Sequence, residues 1–193
     1  MIVALILAAG SGRRFSARGN KLLEPFRGRP LLRHAVNAAL ASRVAETIVV
    51  TGFDAERVEH GLVGLPVRIA RNCEYEQGMA ASLRVGLRNA QNAGGVVVLL
   101  GDMPLIRSEL IDRLIAVFEA GGASAVAPTH GGRRGNPVLL GRTLFPFVAR
   151  LSGDAGARDL LRSRDDVREV ETQDAGVILD VDAASDLSAL NQR

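Results

Sequence analysis

Three groups of residues carry side-chain types that could act together on a charged ligand. The first is Gly10-Ser11-Gly12, followed by Arg13, Arg14, Arg18 and Lys21. Successive backbone N–H groups in a glycine turn form a concavity that binds anions, and the four cations beyond it would neutralise several phosphate charges. The second is Asp102, in Gly101-Asp102-Met103-Pro104-Leu105 directly after an apolar run. A carboxylate in that setting is costly to bury unless paired or bound to metal, and a Mg²⁺ bridging phosphates is its natural partner. The third is Asp180-Val181-Asp182. Two carboxylates two apart on a strand face the same side, so one metal could engage both; Asp182, at the strand end, ranks ahead of Asp180. Together these residues point to a polyphosphate held with a divalent ion. Two plainer readings stay open: a strand-to-helix turn with a solvated basic rim, and an Asp102 that accepts backbone hydrogen bonds before Pro104.

Such groups meet only if the strands carrying them end at one edge. Ile2 to Leu7 is a short apolar run ending in glycines, which reads as a buried parallel strand feeding a tight loop. Gly10 and Gly12 allow positive φ and close backbone approach there. A turn over Pro25 to Pro30 leads into an amphipathic helix from Pro30 to Ser42, with Pro30 as its first residue. Glu46 to Thr51 predicts a strand closed by Gly52, Asp54 caps a helix to Leu62, and Pro66 to Ala70 is a short strand. The loop from Arg71 to Ser82 opens a helix to Asn92, and the helix start after Gly78 either faces a ligand or is an ordinary cap. Val96 to Leu100, uniformly apolar, is the central strand, covered by helices on both faces. Ser108 caps a helix to Glu119, and Ala123 to Ala127 is a strand ended by Pro128. Residues 129–140 form a loop or hairpin into a strand, Thr143 to Leu151 a short helix, and Gly156 starts another. Val167 to Glu171 is an edge strand and Val177 to Asp182 the last strand, before a helix over Ala183 to Leu190. This alternation argues a mostly parallel, doubly wound sheet, in which the carboxyl ends of the strands are where ligands bind.

Composition narrows the function. The 193 residues suit one domain spanning 1–193, and with 47% hydrophobic but only 4% aromatic residues the core must be aliphatic. The net charge of +3 suits a small anionic ligand, and no basic run is interleaved with aromatics, which argues against nucleic acid. The single cysteine, Cys73, excludes an internal disulfide and a paired-cysteine metal site; it reads as a small buried or half-buried residue. His34 reads as a core-edge residue and His130 as an exposed loop residue. The N-terminal apolar run is too short for a membrane span and lacks a basic leader, so the expectation is a cytoplasmic protein without membrane association. Phe15 stands where a dinucleotide fingerprint needs its third glycine, and no GK[ST] follows for a P-loop.

LAAGSGRRF followed by GNKLLEPFRGRPLL resembles the signature of the nucleotidyltransferases related to the molybdenum-cofactor cytidylyl- and guanylyltransferases. GDMPL (101–105), GNPVL (135–139), GDAGAR (153–158) and the closing Asp180-Val181-Asp182 with Asp186-Leu187 resemble further motifs of that family, in the same order. The resemblance implies a three-layer α/β/α Rossmann-like nucleotidyltransferase fold with a mostly parallel mixed sheet. It implies nucleotide contacts at Leu7, Ala8, Ala9, Gly10, Ser11, Gly12, Arg13 and Gly101, and at Asn72, Gly78 and Ser82, beside Met79, over base and sugar. It implies acceptor contacts at Gly135, Asn136, Pro137, Asp154 and Gly156. The helix start at Gly156 either holds a second anion, with Arg158 assisting, or is a capped helix with a solvated Arg158. Ala183 and Ala184 replace the Thr-Pro of the family pattern, and Phe15 its Met.

The chemistry that follows is nucleotidyl transfer. Lys21 and the glycine loop would hold the β- and γ-phosphates, with Arg14 and Lys21 stabilising the departing pyrophosphate. Asp102 and Asp182, with Asp180 in reserve, would hold Mg²⁺. A phosphate acceptor is already ionised, so no general base is needed, and no Ser-His-Asp or Cys-His arrangement is evident. LAAG and GDAGAR resemble the cytidylyl branch, which implies CTP as donor, molybdopterin as acceptor and a molybdoenzyme apoprotein as a conceivable recipient of the product. The rivals are GMP transfer, transfer to a sugar or polyol phosphate, a nucleotide-binding module without turnover, and a dinucleotide-dependent oxidoreductase.

Overall fold

The computed structural model describes residues 1–12, 19–162 and 164–191. In chain order the strands are β1 (Ile2–Ala8), β2 (Pro25–Phe26), β3 (Arg29–Pro30), β4 (Glu46–Thr51), β5 (Arg68–Arg71), β6 (Gly95–Leu100), β7 (Ala125–His130), β8 (Arg133–Arg134), β9 (Val138–Gly141) and β10 (Val167–Glu171). The α-helices are α1 (Leu31–Leu40), α2 (Ala55–His60), α3 (Met79–Asn89), α4 (Ser108–Glu119), α5 (Phe145–Val148), α6 (Ala157–Leu161) and α7 (Ala184–Asn191). The main sheet runs β10-β7-β9-β6-β1-β4-β5, with β8 pairing β7 at one end. β6, β1, β4 and β5 are parallel, as are β7 and β10. β9 runs antiparallel to both β6 and β7, making the sheet mixed. β2 and β3 form a separate hairpin.

Strand alternation divides the aliphatic side chains between two cores. Ile2, Ala4, Ile6 and Ala8 of β1 face α1, α2 and α4 through Val36, Val58, Ile111 and Leu114. Val3 and Leu5 face the other way, toward Leu83 and Leu87 of α3, Val148 of α5 and Leu161 of α6. Both faces of the central strands are therefore buried, which is why β1 and β6 read as unbroken apolar runs. Phe26, Leu31, Val181, Leu187 and Leu190 form a third, smaller cluster where α7 closes on the β2–β3 hairpin.

Several expectations need correction. The segment from Val177 to Asp182 is not a strand: Ala175–Ile178 is a 3₁₀ turn, and 179–182 pairs with no strand among the described residues. Asp174 caps that turn, accepting the Gly176 N–H at 2.9 Å, and so diverts the chain before extended pairing begins. Pro128 lies inside β7 rather than ending it. Pro30 pairs with Pro25 in the hairpin and precedes α1 instead of opening it. Ser108 is the first residue of α4 and makes no capping bond. Cys73 is exposed, because the turn after β5 directs the neighbouring Asn72 inward instead. His34 does sit at a core edge, bonded to the Phe26 carbonyl at 2.8 Å. Among the described residues, no helix is long and apolar enough to cross a membrane.

Candidate functional site

The parallel strands β1, β4 and β6 end level with one another. Ala8 lies opposite Thr51 and Leu7 opposite Leu100. The Phe53 N–H donates to Ala9 O and the Gly101 N–H to Leu7 O, each at 3.0 Å, so the loops that follow leave from the same edge. A cleft of about 740 Å³ opens there. Leu7, Ala8, Ala9, Gly10, Ser11 and Gly12 form one wall, and Lys21, Asp102 and Asp182 stand at one end. Gly78, Met79 and Ser82, at the start of α3, also line the cleft, together with Asp154. Only the second loop glycine uses a positive φ: Gly12 has φ +55°, and a Cβ on it would come within 3.2 Å of the Lys21 side chain.

The cationic and acidic residues meet. Lys21 Nζ donates to Asp102 Oδ2 at 2.6 Å, to the Val181 carbonyl at 2.8 Å and to Asp182 Oδ1 at 3.5 Å. Carboxylate oxygens of Asp102, Asp180 and Asp182 lie within 4.8 Å of one another. The Val181 N–H donates to the Asp102 carbonyl at 3.0 Å, tying the 180–182 segment to the end of β6. Asp186 Oδ2 accepts the N–H groups of Asp182 and Ala183 at 2.9 and 2.7 Å, fixing the turn from the far side. Thus Asp180 and Asp182 converge on Asp102 through a capped turn, not through strand alternation. Partial desolvation, then the charges of Asp102 and Asp182, push the Asp180 carboxyl above its ordinary value.

These residues fit a hard divalent cation. Three carboxylates supply oxygen ligands only, the preference of Mg²⁺ and its relatives. Asp102 Oδ1 is a buried acceptor with no hydrogen-bond partner among the described residues. An orphaned carboxylate oxygen carries a desolvation cost that a bound cation would offset.

The other expected residues fall into four groups. Asn72 and Gly101 lie behind the cleft wall. Asn72 is buried, donating to Ser82 Oγ at 3.0 Å and accepting the Glu74 N–H at 3.0 Å, so it positions Ser82 and the turn. Gly101 packs under Leu32, where a Cβ would lie 2.9 Å from Cδ1. Gly135, Asn136 and Pro137 do not line the cleft. Their backbone is occupied in packing: a Cβ on Gly135 would fall 2.2 Å from the Val177 carbonyl, and the Asn136 N–H donates to that oxygen. Gly156 packs on Met79 Sδ, and the Gly153 carbonyl accepts the Ala80 N–H at 3.0 Å, so the 153–156 loop buttresses the start of α3. Arg13, Arg14, Phe15 and Arg18 lie outside the described residues.

Phe53 and Tyr75 line the cleft as an edge-to-face pair, ring centroids 6.2 Å apart. Sequence reasoning passed over both. The signal was available: Phe53 follows Gly52 at the carboxyl end of β4, the same position in its strand that singled out Asp102. Among the described residues, Glu76, Leu22 and Leu100 also line the cleft.

A family model described as the MobA-like NTP transferase domain matches residues 4–168. Nicotine blue oxidoreductase of Paenarthrobacter nicotinovorans is 34% identical over 169 residues, 84% of this chain and 82% of that protein. Purine catabolism protein PucB of Bacillus subtilis is 30% identical over 197 residues, 94% of this chain and 91% of that protein. The crystal structure of Rv0371c from Mycobacterium tuberculosis superimposes with a TM-score of 0.87 at 30% identity, covering 100% of this chain and 97% of that one. Its complex with manganese gives 0.82 at 29% identity, covering 99% and 98%.

Proposed function

The chain belongs to the MobA-like NTP transferase family, and from that premise we propose that it transfers CMP from CTP to the terminal phosphate of molybdopterin, releasing pyrophosphate. The observation that carries the reading is the meeting of Lys21, Asp102, Asp180 and Asp182 at one end of a cleft walled by the Leu7–Gly12 backbone. In this reading an acceptor phosphate oxygen forms a bond to the α-phosphorus, and the bond from that phosphorus to the bridging oxygen breaks in line. The electron pair leaves on pyrophosphate, and no proton need be removed from an ionised acceptor. The backbone of Gly10 to Gly12 receives the β- and γ-phosphates, and Lys21, with Arg14, stabilises the charge that develops on them. Asp102, Asp180 and Asp182 would hold Mg²⁺, which when bound neutralises the α-phosphate and fixes its orientation. The manganese complex of Rv0371c supports a divalent ion in this fold. Ser82, held by Asn72, and the Phe53–Tyr75 pair offer a polar group and an aromatic wall to a nucleoside. Asp154, which also lines the cleft, would accept hydrogen bonds from the acceptor. The branch assignment, CTP and molybdopterin, rests on the LAAG and GDAGAR motifs.

The test is pyrophosphate release with Mg²⁺ and each of CTP, GTP, ATP and UTP, with and without molybdenum-loaded molybdopterin. Release with CTP that requires the pterin supports donor and acceptor alike, and GTP-dependent release would move the chain to the guanylyl branch. A second reading, reduction of an organic substrate by a nicotinamide cofactor, is favoured by the name of the 34% identical nicotine blue oxidoreductase. Equilibrium dialysis with NADPH separates the two, and NADPH binding in preference to CTP would replace the first reading with the second.

A further inference from the structure

Lys21 is the only lysine in a chain whose lysines and arginines number 24. At every other cationic position this protein uses arginine. An ammonium differs from a guanidinium in being compact, freely rotating and free of a planar fork. All three of its N–H donors have acceptors here: Asp102 Oδ2, Asp182 Oδ1 and the Val181 carbonyl. Its stem crosses Gly12, which has no side chain to block it. The side chain is 11% exposed, so this ion pair is held in the wall of the cleft and is little screened by water. Yet Asp102 Oδ1 keeps no partner among the described residues, so the ammonium satisfies the acidic cluster only in part.

We propose that Lys21 is a built-in counter-cation that stands in for the divalent metal when no nucleotide is bound, and that the triphosphate draws it off. The inference rests on the nucleotidyltransferase reading, because it takes the acidic cluster as the metal seat. A divalent ion seated on oxygens of Asp102 and Asp182 would lie within a few ångströms of the ammonium that already bonds both residues, in a site of reduced dielectric where like charges repel strongly. Metal and ammonium therefore compete for the same carboxylates while the cleft is empty of anion. A triphosphate along the Gly10–Gly12 backbone offers the ammonium stronger acceptors at the cost of a short swing of its stem. Once it moves, the carboxylates are released to the metal. Metal and nucleotide thus bind with positive coupling, and by linkage each tightens the other by the same factor. The arrangement would keep free divalent ions from occupying the cluster without substrate, and lysine suits it because it can leave one set of acceptors for another.

The measurement is Mn²⁺ binding to the full chain by titration calorimetry, with and without α,β-methylene-CTP, an analogue that cannot be cleaved at the α-phosphorus. Wild type is expected to bind Mn²⁺ at least tenfold more tightly with the analogue present. Lys21→Met keeps the length of the stem and removes the charge. It is expected to bind Mn²⁺ at least tenfold more tightly than wild type without nucleotide, and to lose most of the coupling. A readout independent of that variant uses the single lysine. In protein labelled with ¹³C at lysine Cε, the one side-chain signal should shift on adding the analogue without metal. Lys21→Met binding Mn²⁺ no more tightly than wild type, or a wild type whose Mn²⁺ affinity ignores the analogue, would overturn the proposal. Asp102→Asn separates this failure from failure of the underlying reading. If wild type binds Mn²⁺ and Asp102→Asn does not, the metal seat stands and the counter-cation alone is wrong. If neither binds with or without analogue, the metal seat falls and the proposal with it.

Discussion

Asp102 has one carboxylate oxygen paired with Lys21 and the other buried without a partner among the described residues, and this asymmetry bears most directly on function. A side chain selected for stability alone would have both oxygens satisfied. Asp180 gives the complementary signal, since its carboxyl is pushed upward by desolvation and by the two neighbouring acids. A carboxyl whose folded value is raised favours the fold at low pH, and that contribution is lost as pH rises through the raised value. Asp180→Asn should therefore melt at a higher temperature than wild type at pH 7 in the absence of divalent ions. The difference should vanish as pH falls below the ordinary carboxyl value of 3.8. Saturating Mn²⁺ should reverse the order, because wild type offers the ion three carboxylates and the variant two. Melting curves at both pH values, with and without metal, check the sign at each step.

The site is assembled by elements whose reasons are local. Ala183 and Ala184 are poor choices to start a helix, yet α7 forms. Asp186, in its first turn, reaches back to the N–H groups of Asp182 and Ala183, as the acidic member of a capping box does. The same carboxylate orients Asp182, so Asp186→Ala should cost about 1 kcal/mol of stability and also weaken Mn²⁺ binding. Denaturant melts and calorimetry separate the two effects, and lost stability with unchanged metal affinity would make Asp186 a cap only. The carboxylates of this segment were legible in the sequence, but their conformation was not. Val177-Ile178-Leu179 has the composition of a strand, and that composition masks the local turn in which Asp174 accepts the Gly176 N–H. That Gly135 lies beneath Val177 is a contact between residues about forty apart in sequence, outside the reach of periodicity. β1, β4 and β6 were legible because burial on both faces leaves an unbroken apolar run. Gly135, Asn136 and Pro137 were selected by motif, and they turn out to serve the backbone that carries Asp180 and Asp182.

At the scale of the whole molecule, the sheet holds the cleft by close packing of small residues against aliphatic ones. α3, whose first turn lines the cleft, approaches β1 through Gly86, where a Cβ would lie 3.0 Å from Leu5 Cδ1 and 3.2 Å from Val50 Cγ2. Alanine is the better helix former by about 1 kcal/mol, but Leu5 and Val50 are fully buried and have little room to give. Gly86→Ala should therefore destabilise the protein on balance, by about 1 kcal/mol or more. Adding Leu5→Ala should recover part of the loss that each change causes alone, and a double-mutant cycle measures that coupling. Additive losses would mean that α3 is not seated by this contact. The layered order and the mixed sheet position three carboxylates and one lysine, and the account stands on what that constellation does to a nucleotide. The most direct measurement follows label from CTP carrying ³²P at the α- or at the γ-phosphate into molybdopterin, the proposed acceptor, for wild type and Asp102→Asn. The account predicts α-label in the product, γ-label only in pyrophosphate, and a loss of about a hundredfold or more in the variant. Label arriving from the γ-phosphate, or transfer that Asp102→Asn leaves unchanged, would contradict it.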